Sequence, residues 1–410
     1  MCKVLVSRQA ILNVPNLRFP EFSGEWEKIR VSDLLEFFST NSLSWDQLEY
    51  GGTDIFNLHY GLIHSGLSTQ ISLKKSILPS VKSEYRPRNY TLCEDGDVAF
   101  ADASEDTNEV GKVVEFVDCA GKEIVCGLHT IHGRDKLGKT VVGFKGYAFS
   151  SPAFHNQIRR IAQGTKIFSI NTGNFAEIFI GVPQKEEQDK ISHLLSLLDQ
   201  RIAIQNRIIE DLKKLRTTLC ELMFNQSAPN YRLGDIIEQV SVRNKDEDSL
   251  PILSVNNQLG FIEQSEQFEN RIVASEDTSN YKIVFINDFA FNPARINVGS
   301  IARLKKIEKG IVSPMYICFR IKHGILPEYL EPFFRTKFFH TEMDKRLEGS
   351  VRMCLSFEGL CNIPIYIPAV KEQSHAAQRI LKLNEIIEIE QSILNNHLAR
   401  KNYLLGKMLI

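Results

Sequence analysis

Apolar positions recur along Glu186–Phe224 at alternating steps of three and four: Ile191, Leu195, Leu198, Ile202, Ile209, Leu212, Leu219 and Met223, with Gln205 and Arg216 in the two remaining places. Such spacing lays one narrow stripe along an α-helix and is the pattern of a helix that packs against another helix. Pro183 stands just before the segment, and Glu186 and Glu187 fall in its first turn, where acids favour the helix dipole. At 1.5 Å per residue the predicted helix is roughly 58 Å long. Lys371–Met408 carries a weaker copy of the stripe, with Ile380, Leu383, Ile387, Leu394, Leu404 and Met408 apolar but Glu390, His397 and Lys401 at seam positions. Between the helical segments the pattern shortens. Lys112–Val117, Lys282–Ile286 and Gly310–Ile321 are β-branched and aromatic and bounded by Gly, Asn or Asp, which predicts strands. Short helices are expected near Ala153–Ala162 and Glu328–Leu347.

The chain repeats itself. A shift of 185 residues superposes Gly164-Thr165 on Gly349-Ser350, Ile178-x-Ile180 on Ile363-x-Ile365, Pro183 on Pro368 and Glu187-Gln188 on Glu372-Gln373, and no gap is needed through the long helices. Val31-Ser-Asp-Leu-Leu-Glu36 matches Leu233-Gly-Asp-Ile-Ile-Glu238, and Asp97-Val-Ala-Phe100 matches Asp288-Phe-Ala-Phe291, each at a different shift. Two copies of one unit with different interiors are therefore expected. The predicted organisation is an N-terminal extension (residues 1–20), a first α+β domain (21–183), a central helix (184–226), a second α+β domain (227–368) and a distal helix (369–410), with Asn225–Asn230 as linker. The two helices are expected to pair as an antiparallel coiled coil.

With 410 residues, 49 Lys+Arg, 50 Asp+Glu and 43% hydrophobic positions, the composition is that of a globular protein and excludes a disordered tail, a collagen-like chain and an indiscriminate polyanion coat. The first twenty residues have no apolar signal core, because Arg8 and Gln9 interrupt it, and no apolar run reaches the ~18 residues of a membrane span. Eight cysteines without CxxC pairs read as reduced thiols of a cytoplasmic protein.

Three motifs suggest chemistry. Gly133-Arg-Asp-Lys-Leu-Gly138-Lys139-Thr140 fits the phosphate-loop pattern, in which Lys meets the terminal phosphates and Thr a magnesium ion at a helix N-terminus. However, Val141–Tyr147 reads as extended, and the second copy has no such loop. Cys119, Cys126, His129 and His132 are close enough in sequence for a zinc site, yet the second copy has Ser313 and Tyr316 at equivalent places, so buried strand residues and no metal are expected. Asn292-Pro-Ala-Arg295 lacks the second proline and the aromatic ring of a base-gripping amino-methylation motif, and no nuclease acid pair or nucleophile elbow stands out. The chain reads as non-catalytic and without a cofactor of its own. Charge is local instead: Lys74, Lys75, Lys82, Arg86 and Arg88 face only Glu84 within Lys74–Tyr90, with Tyr85 and Tyr90 interleaved, and are followed by the acidic run Glu94–Asp118. Arg295, Arg303, Lys305, Lys306 and Lys309, with Asn297, face only Glu308 within Ala294–Gly310, which follows the acidic run Glu263–Asp277. Loops of this kind neutralise phosphates and reach base edges.

Taken in order, these features resemble the DNA specificity subunit of type I restriction-modification enzymes. Arg18-Phe-Pro-Glu-Phe-Ser-Gly-Glu-Trp26 followed by Asp33-Leu-Leu-Glu36 is similar to the start of that family's first target recognition domain. Phe291–Ser300, the two Gly-Thr/Ser pairs and the two Pro-x-x-x-Glu-Gln junctions are similar to its later landmarks. The first domain has Phe100-Ala-Asp-Ala where the second has Phe291-Asn-Pro-Ala-Arg, a departure that leaves its reading loop less recognisable. The resemblance implies two target recognition domains held apart by the paired helices at about one helical turn of DNA, roughly 34 Å, each reading its own few base pairs of double-stranded DNA. It implies two methyltransferase subunits docked on the helices, and restriction/translocase subunits joining for cleavage. S-adenosylmethionine and ATP then belong to those partners.

Two other readings stay open from the residues: a nucleotidase built on Gly133–Thr140, or a helical scaffold that binds only protein. The nucleotidase reading requires ATP binding that Lys139→Ala abolishes. We expect no such lysine-dependent binding in equilibrium dialysis.

Overall fold

The computed structural model describes residues 13–52, 54–74, 76–225, 227–245, 250–257, 259–264, 277–350 and 352–410. Two compact units emerge: residues 1–205 with 393–410, and residues 206–392. Each unit holds one α+β domain and a part of each long helix.

In the first unit, Glu27–Arg30 pairs antiparallel with Phe179–Val182 and the chain turns through the helix Val31–Leu34 into Leu35–Phe38. That strand edges a five-stranded sheet in the order Leu35–Phe38, Thr130–Asp135, Val98–Ala101, Val113–Asp118, Gln70–Ser72. A four-stranded sheet runs Glu123–Cys126, Ile55–Leu58, Ser80–Val81, Leu48–Glu49. Phe100, Phe149, Phe154 and Phe175 meet edge to face in the core under the helix Pro152–Ile161. Such ring pairs add about 0.5–1.5 kcal/mol beyond their area.

The second unit repeats the plan. Tyr231–Arg232 pairs with Pro364–Ile365, the helix Leu233–Ile236 follows, and the sheet runs Ile237–Val240, Ile317–Ile321, Phe289–Phe291, Ile301–Arg303. Its companion sheet runs Gly260–Glu263, Ile252–Asn256, Lys309–Val312, Lys282–Phe285. The internal repeat is visible bond by bond. Val31 N donates to Ile178 O at 2.9 Å, and Leu233 N to Ile363 O at 2.9 Å. Asp97 is held by Arg134 Nε and Nη2, each at 2.8 Å, and Asp288 by Arg320 at 2.6 and 2.8 Å.

The repeated glycines have a steric reason. Gly164 (φ 135°) and Gly349 (φ 123°) each close a tight loop, and a Cβ would lie 1.8 Å from Ile167 O in the first and 2.2 Å from Arg352 O in the second. Reciprocal backbone bonds between Gln163 and Ser169, and between Glu348 and Cys354, seal the two loops.

Two expectations need correction. Gly310–Ile321 is two strands, Lys309–Val312 and Ile317–Ile321, because Pro314 cannot donate to a ladder and turns the chain between them. Glu328–Leu347 is broken into Pro327–Leu330, a 3-10 turn at Glu331–Arg335 and Lys337–Asp344, with Thr336 capping the last by accepting from Phe339 N.

The long helices span Lys185–Asn225 and Val370–Met408. Ile191, Leu195, Ile209, Ile380, Leu383, Ile387, Leu394 and Met408 are buried, while Leu198, Ile202, Leu212, Leu219, Met223 and Leu404 are half-buried; Leu405 is buried more deeply than Leu404. Inside the first unit Lys401 Nζ meets Asp199 at 2.6 Å, and inside the second Arg216 donates to Asn384 at 3.1 Å. The shift of 185 maps one contact onto the other with the helices exchanged. Two of the polar seam positions, Arg216 and Lys401, are thus partnered.

One side chain fastens each helix to its domain. Gln188 Nε2 donates to Lys139 O at 3.0 Å and Pro183 O at 2.8 Å, while its Oε1 accepts from Val141 N at 2.9 Å. Gln373 makes the same set with Gly324 O, Pro368 O and Leu326 N at 3.3, 2.9 and 2.9 Å. Both are buried. Gln188→Ala and Gln373→Ala should each cost about 1–3 kcal/mol, because backbone groups are left unpaired out of water. Urea denaturation followed by circular dichroism checks this.

Candidate nucleic-acid interface

The first basic run does not fold as one patch. Lys74 is exposed and pairs with Asp118 at 2.9 Å, at the edge of the five-stranded sheet. Lys75 lies outside the described residues. Lys82 is half-buried and its ammonium donates to Asp46 O at 2.5 Å, beside the other sheet. Tyr85 ends the 3-10 turn Ser83–Tyr85 and is exposed; Arg86 donates to Tyr90 Oη at 3.4 Å and stands 3.8 Å from Glu123. The Tyr90 contact, with Glu123 adding to it, raises the Arg86 guanidinium above its ordinary value. Arg88 is exposed, and Tyr90 packs on Leu48, Ile55, Val81 and Val125. The structure therefore gathers Lys82, Tyr85, Arg86, Arg88 and Tyr90 into one loop and leaves Lys74 apart.

The second run splits between surface and interior. Arg295 and Asn297 are exposed around the turn Ile296–Val298, whose Ile296 is buried and whose exit uses the left-handed Gly299 (φ 87°). Lys306 and Lys309 are exposed as well. Arg303 is corrected: its side chain is 5% accessible, and it pairs with Glu328, with Glu331 at 3.1 Å and with Asn287 Oδ1 at 3.1 Å. Burial opposes ionisation of Glu328, but Arg303 outweighs it and holds the carboxyl below its ordinary value. Lys305 is half-exposed and reaches Glu331 at 2.6 Å. Arg303 joins the strand Ile301–Arg303 to the helix Pro327–Leu330 and the 3-10 turn behind it, and a sequence shows the cation without its acids.

A cluster that the sequence does not announce lies in the first domain. Trp45 lies against His59 and His59 against Tyr60, with ring centroids 4.5 and 4.7 Å apart and planes tilted by 34° and 32°, and His129 stands against Tyr60 at 5.2 Å. Trp45 is 46% exposed. Burial, with His129 nearby, pushes the His59 ring below its ordinary value, and its Nδ1 accepts from Gly61 N at 3.1 Å. The residues are scattered between positions 45 and 129, so only the fold unites them.

The phosphate-loop pattern is not a phosphate loop. Gly133 sits inside the strand Thr130–Asp135, opposite Phe37 and Val98. Asp135 takes Leu137 N at 2.9 Å, Thr140 N at 2.7 Å and Thr140 Oγ1 at 2.6 Å, so a carboxylate already holds the loop. Lys139 pairs with Glu27. The stretch expected to be extended instead turns into the helix Phe144–Phe149, but Gly143 N and Gly146 N at its start donate to the buried Glu115 at 2.8 and 2.7 Å. Both places where phosphate could bind are filled by acids.

The four residues weighed for zinc are also redistributed. His129 faces Asp102 at 3.1 Å, and Cys119 Sγ lies 3.7 Å from Cys93 O. Cys126 and His132 do meet, in the company of Cys93. Burial opposes ionisation of Asp97, but Arg134 and His132 together hold its carboxyl below the ordinary value.

Comparison with known proteins agrees with this architecture. Residues 23–214 match the family model described as the type I restriction modification DNA specificity domain. A curated relative, the type I restriction enzyme MjaVIII specificity subunit of Methanocaldococcus jannaschii, is 25% identical over 264 residues, 56% of this chain; the match spans 60% of that relative's length. The fold is similar over nearly the whole chain to the type I restriction-modification S subunit of M. genitalium (TM-score 0.55, 16% identity, 97% of this chain and 99% of that one). It is similar as well to a chain from a structure of type I complex assembly and conformational transition (TM-score 0.57, 13% identity, 93% and 96%). Among the described residues no helix is long and apolar enough to cross a membrane.

Arg303→Ala should lower stability by about 1.5–3 kcal/mol, since charged hydrogen bonds to two carboxylates are lost. Arg295→Ala and Lys306→Ala should leave the melting transition in place. Thermal melts of the three variants separate the structural cation from the surface ones.

Proposed function

We propose that the chain is the non-catalytic, sequence-specific DNA-binding subunit of a cytoplasmic type I restriction-modification complex, reading a bipartite and asymmetric target with its two α+β domains. The observation that carries this reading is the pairing of one repeated frame with two different surfaces. The aspartate–arginine pair and the junction glutamine recur in both copies, while the loop around Lys82–Tyr90 in the first has no copy of the Arg295–Asn297 turn of the second. Two unlike heads on one frame read two unlike half-sites. The helix contacts Lys401–Asp199 and Arg216–Asn384 support an antiparallel coiled coil that spaces the heads along one face of the duplex.

Catalysis then belongs to partners. Two methyltransferase subunits that bind S-adenosylmethionine, joined by ATP-driven restriction/translocase subunits for cleavage, would dock on the helices. Leu197, Ile204, Ile208, Leu215 and Leu222 leave apolar surface exposed along the central helix, off the buried seam, and support that docking.

Methylome sequencing of cells carrying this chain with its methyltransferase should yield one motif made of two unequal specified parts and an unread spacer. A continuous motif would sink the two-head reading. Arg295→Ala should relax recognition in one part only, by about 1–3 kcal/mol if the arginine reads a base, and removal of Lys371–Ile410 should weaken affinity for the whole bipartite site. Gel-shift titration with spacer variants measures both.

A further inference from the structure

Three side chains converge in the first domain at a place that neither the DNA surface nor the helix joints use. Cys93 Sγ and Cys126 Sγ are 3.5 Å apart, and a ring nitrogen of His132 lies within 4.8 Å of both. All three residues are buried, His132 completely. His132 Nε2 is taken by Asp97 Oδ2 at 2.8 Å, which leaves Nδ1, and Nδ1 has no hydrogen-bond partner among the described residues. Asp97 is itself anchored by Arg134 and by Glu94 N at 2.9 Å.

We propose that Cys93, Cys126 and His132 bind a zinc ion. A tetrahedral zinc ion binds thiolates at about 2.3 Å, which places two of them about 3.8 Å apart. The sulfurs sit near that separation and well outside the ~2.05 Å of a disulfide. The ring orientation fits as well. A histidine that ligates through one nitrogen characteristically donates the other to a carboxylate, and Asp97 accepts there. Charge closes without further groups: two thiolates neutralise the ion, a neutral imidazole adds nothing, and Asp97 is balanced by Arg134. Three protein ligands leave the fourth position of the tetrahedron open to an exogenous ligand. Metal loading releases the two thiol protons to solvent.

The alternative is a merely packed core, and the second domain shows what that looks like. Cys318 stands opposite Ala290 as His132 stands opposite Ala99, and Asp288 accepts from Phe285 N at 2.8 Å as Asp97 does from Glu94 N, which makes Val284 the counterpart of Cys93. Val284 and Cys318 are completely buried in an apolar cluster. The same frame is thus filled without an imidazole. In the first domain a buried Nδ1 goes unpaired, at a cost of about 1–3 kcal/mol if nothing binds it. The ion would tie Glu123–Cys126 of the four-stranded sheet to Thr130–Asp135 of the five-stranded sheet.

The full chain, purified in reducing buffer without chelator, should carry one zinc per chain by plasma mass spectrometry. Cys93→Ser, Cys126→Ser and His132→Gln should each lower that content at least tenfold, and Cys119→Ser should keep it. Because a variant can fail to fold, the unaltered chain gives a second readout: after chelation, added cobalt should produce thiolate charge-transfer bands and the intense visible bands of a tetrahedral site. Failure of the metal-free chain to bind zinc or cobalt overturns the proposal. So does copper in place of zinc, zinc retained by Cys126→Ser, or a Cys93–Cys126 disulfide in the isolated chain. None of these outcomes bears on whether the chain reads DNA.

Discussion

A helix tens of ångströms long can hold a domain in place only if its first turn is fixed to that domain, and here a buried amide does the fixing. Gln188 and Gln373 each satisfy two carbonyls and one N–H on two separate stretches of their own domain, a loop (Lys139 and Val141, or Gly324 and Leu326) and the proline before the helix. A charged side chain could not do this, since it would donate only or accept only. Without the clamp, those backbone groups would be buried unpaired and the loop after the Thr130–Asp135 or Ile317–Ile321 strand would lose its tether. The seam contacts farther along the helices then act on a lever whose base does not move.

The frame was legible in the sequence because its parts are local and repeated. Pro183 and Pro368, Gln188 and Gln373, and Gly164 and Gly349 recur at one spacing, and each has a local reason: a helix start, a three-bond clamp, and a backbone that excludes a Cβ. The candidate interface was legible only as a tendency. Arg303 and Lys306 are both cations in one basic run, yet only the fold brings Glu328 and Glu331 over Arg303 and leaves Lys306 in solvent. Lys74 likewise leaves its neighbours because Asp118 lies on an adjacent strand. Pattern matching failed where residue type was right and setting wrong. The loop ending in Lys139-Thr140 has the letters of a phosphate site and an aspartate in its centre.

The two domains also show how one fold admits unlike interiors. Asp97–Arg134 and Asp288–Arg320 keep the same geometry, whereas the positions beside them hold His132 and Cys93 in one copy and Cys318 and Val284 in the other. The inference from the second copy that the first lacks a metal assumes equal interiors, and the register of the strands shows that they are unequal. Cys93 enters the cluster from the loop before the strand Val98–Ala101, too far along the chain from His132 for any spacing rule to link them.

The clamp glutamines carry no net charge, and ionic strength therefore acts differently on the two halves of this molecule. Screening weakens attraction between exposed cations and phosphates over a Debye length of about 10 Å at 0.1 M ions, but scarcely touches a buried amide bonded to carbonyls. On the proposed reading, in which Arg295 and Lys306 meet phosphates, concentrated salt releases the nucleic acid while the helices stay fastened to their domains. Grip and architecture are held by different forces, so one can be dialled down with the other left standing.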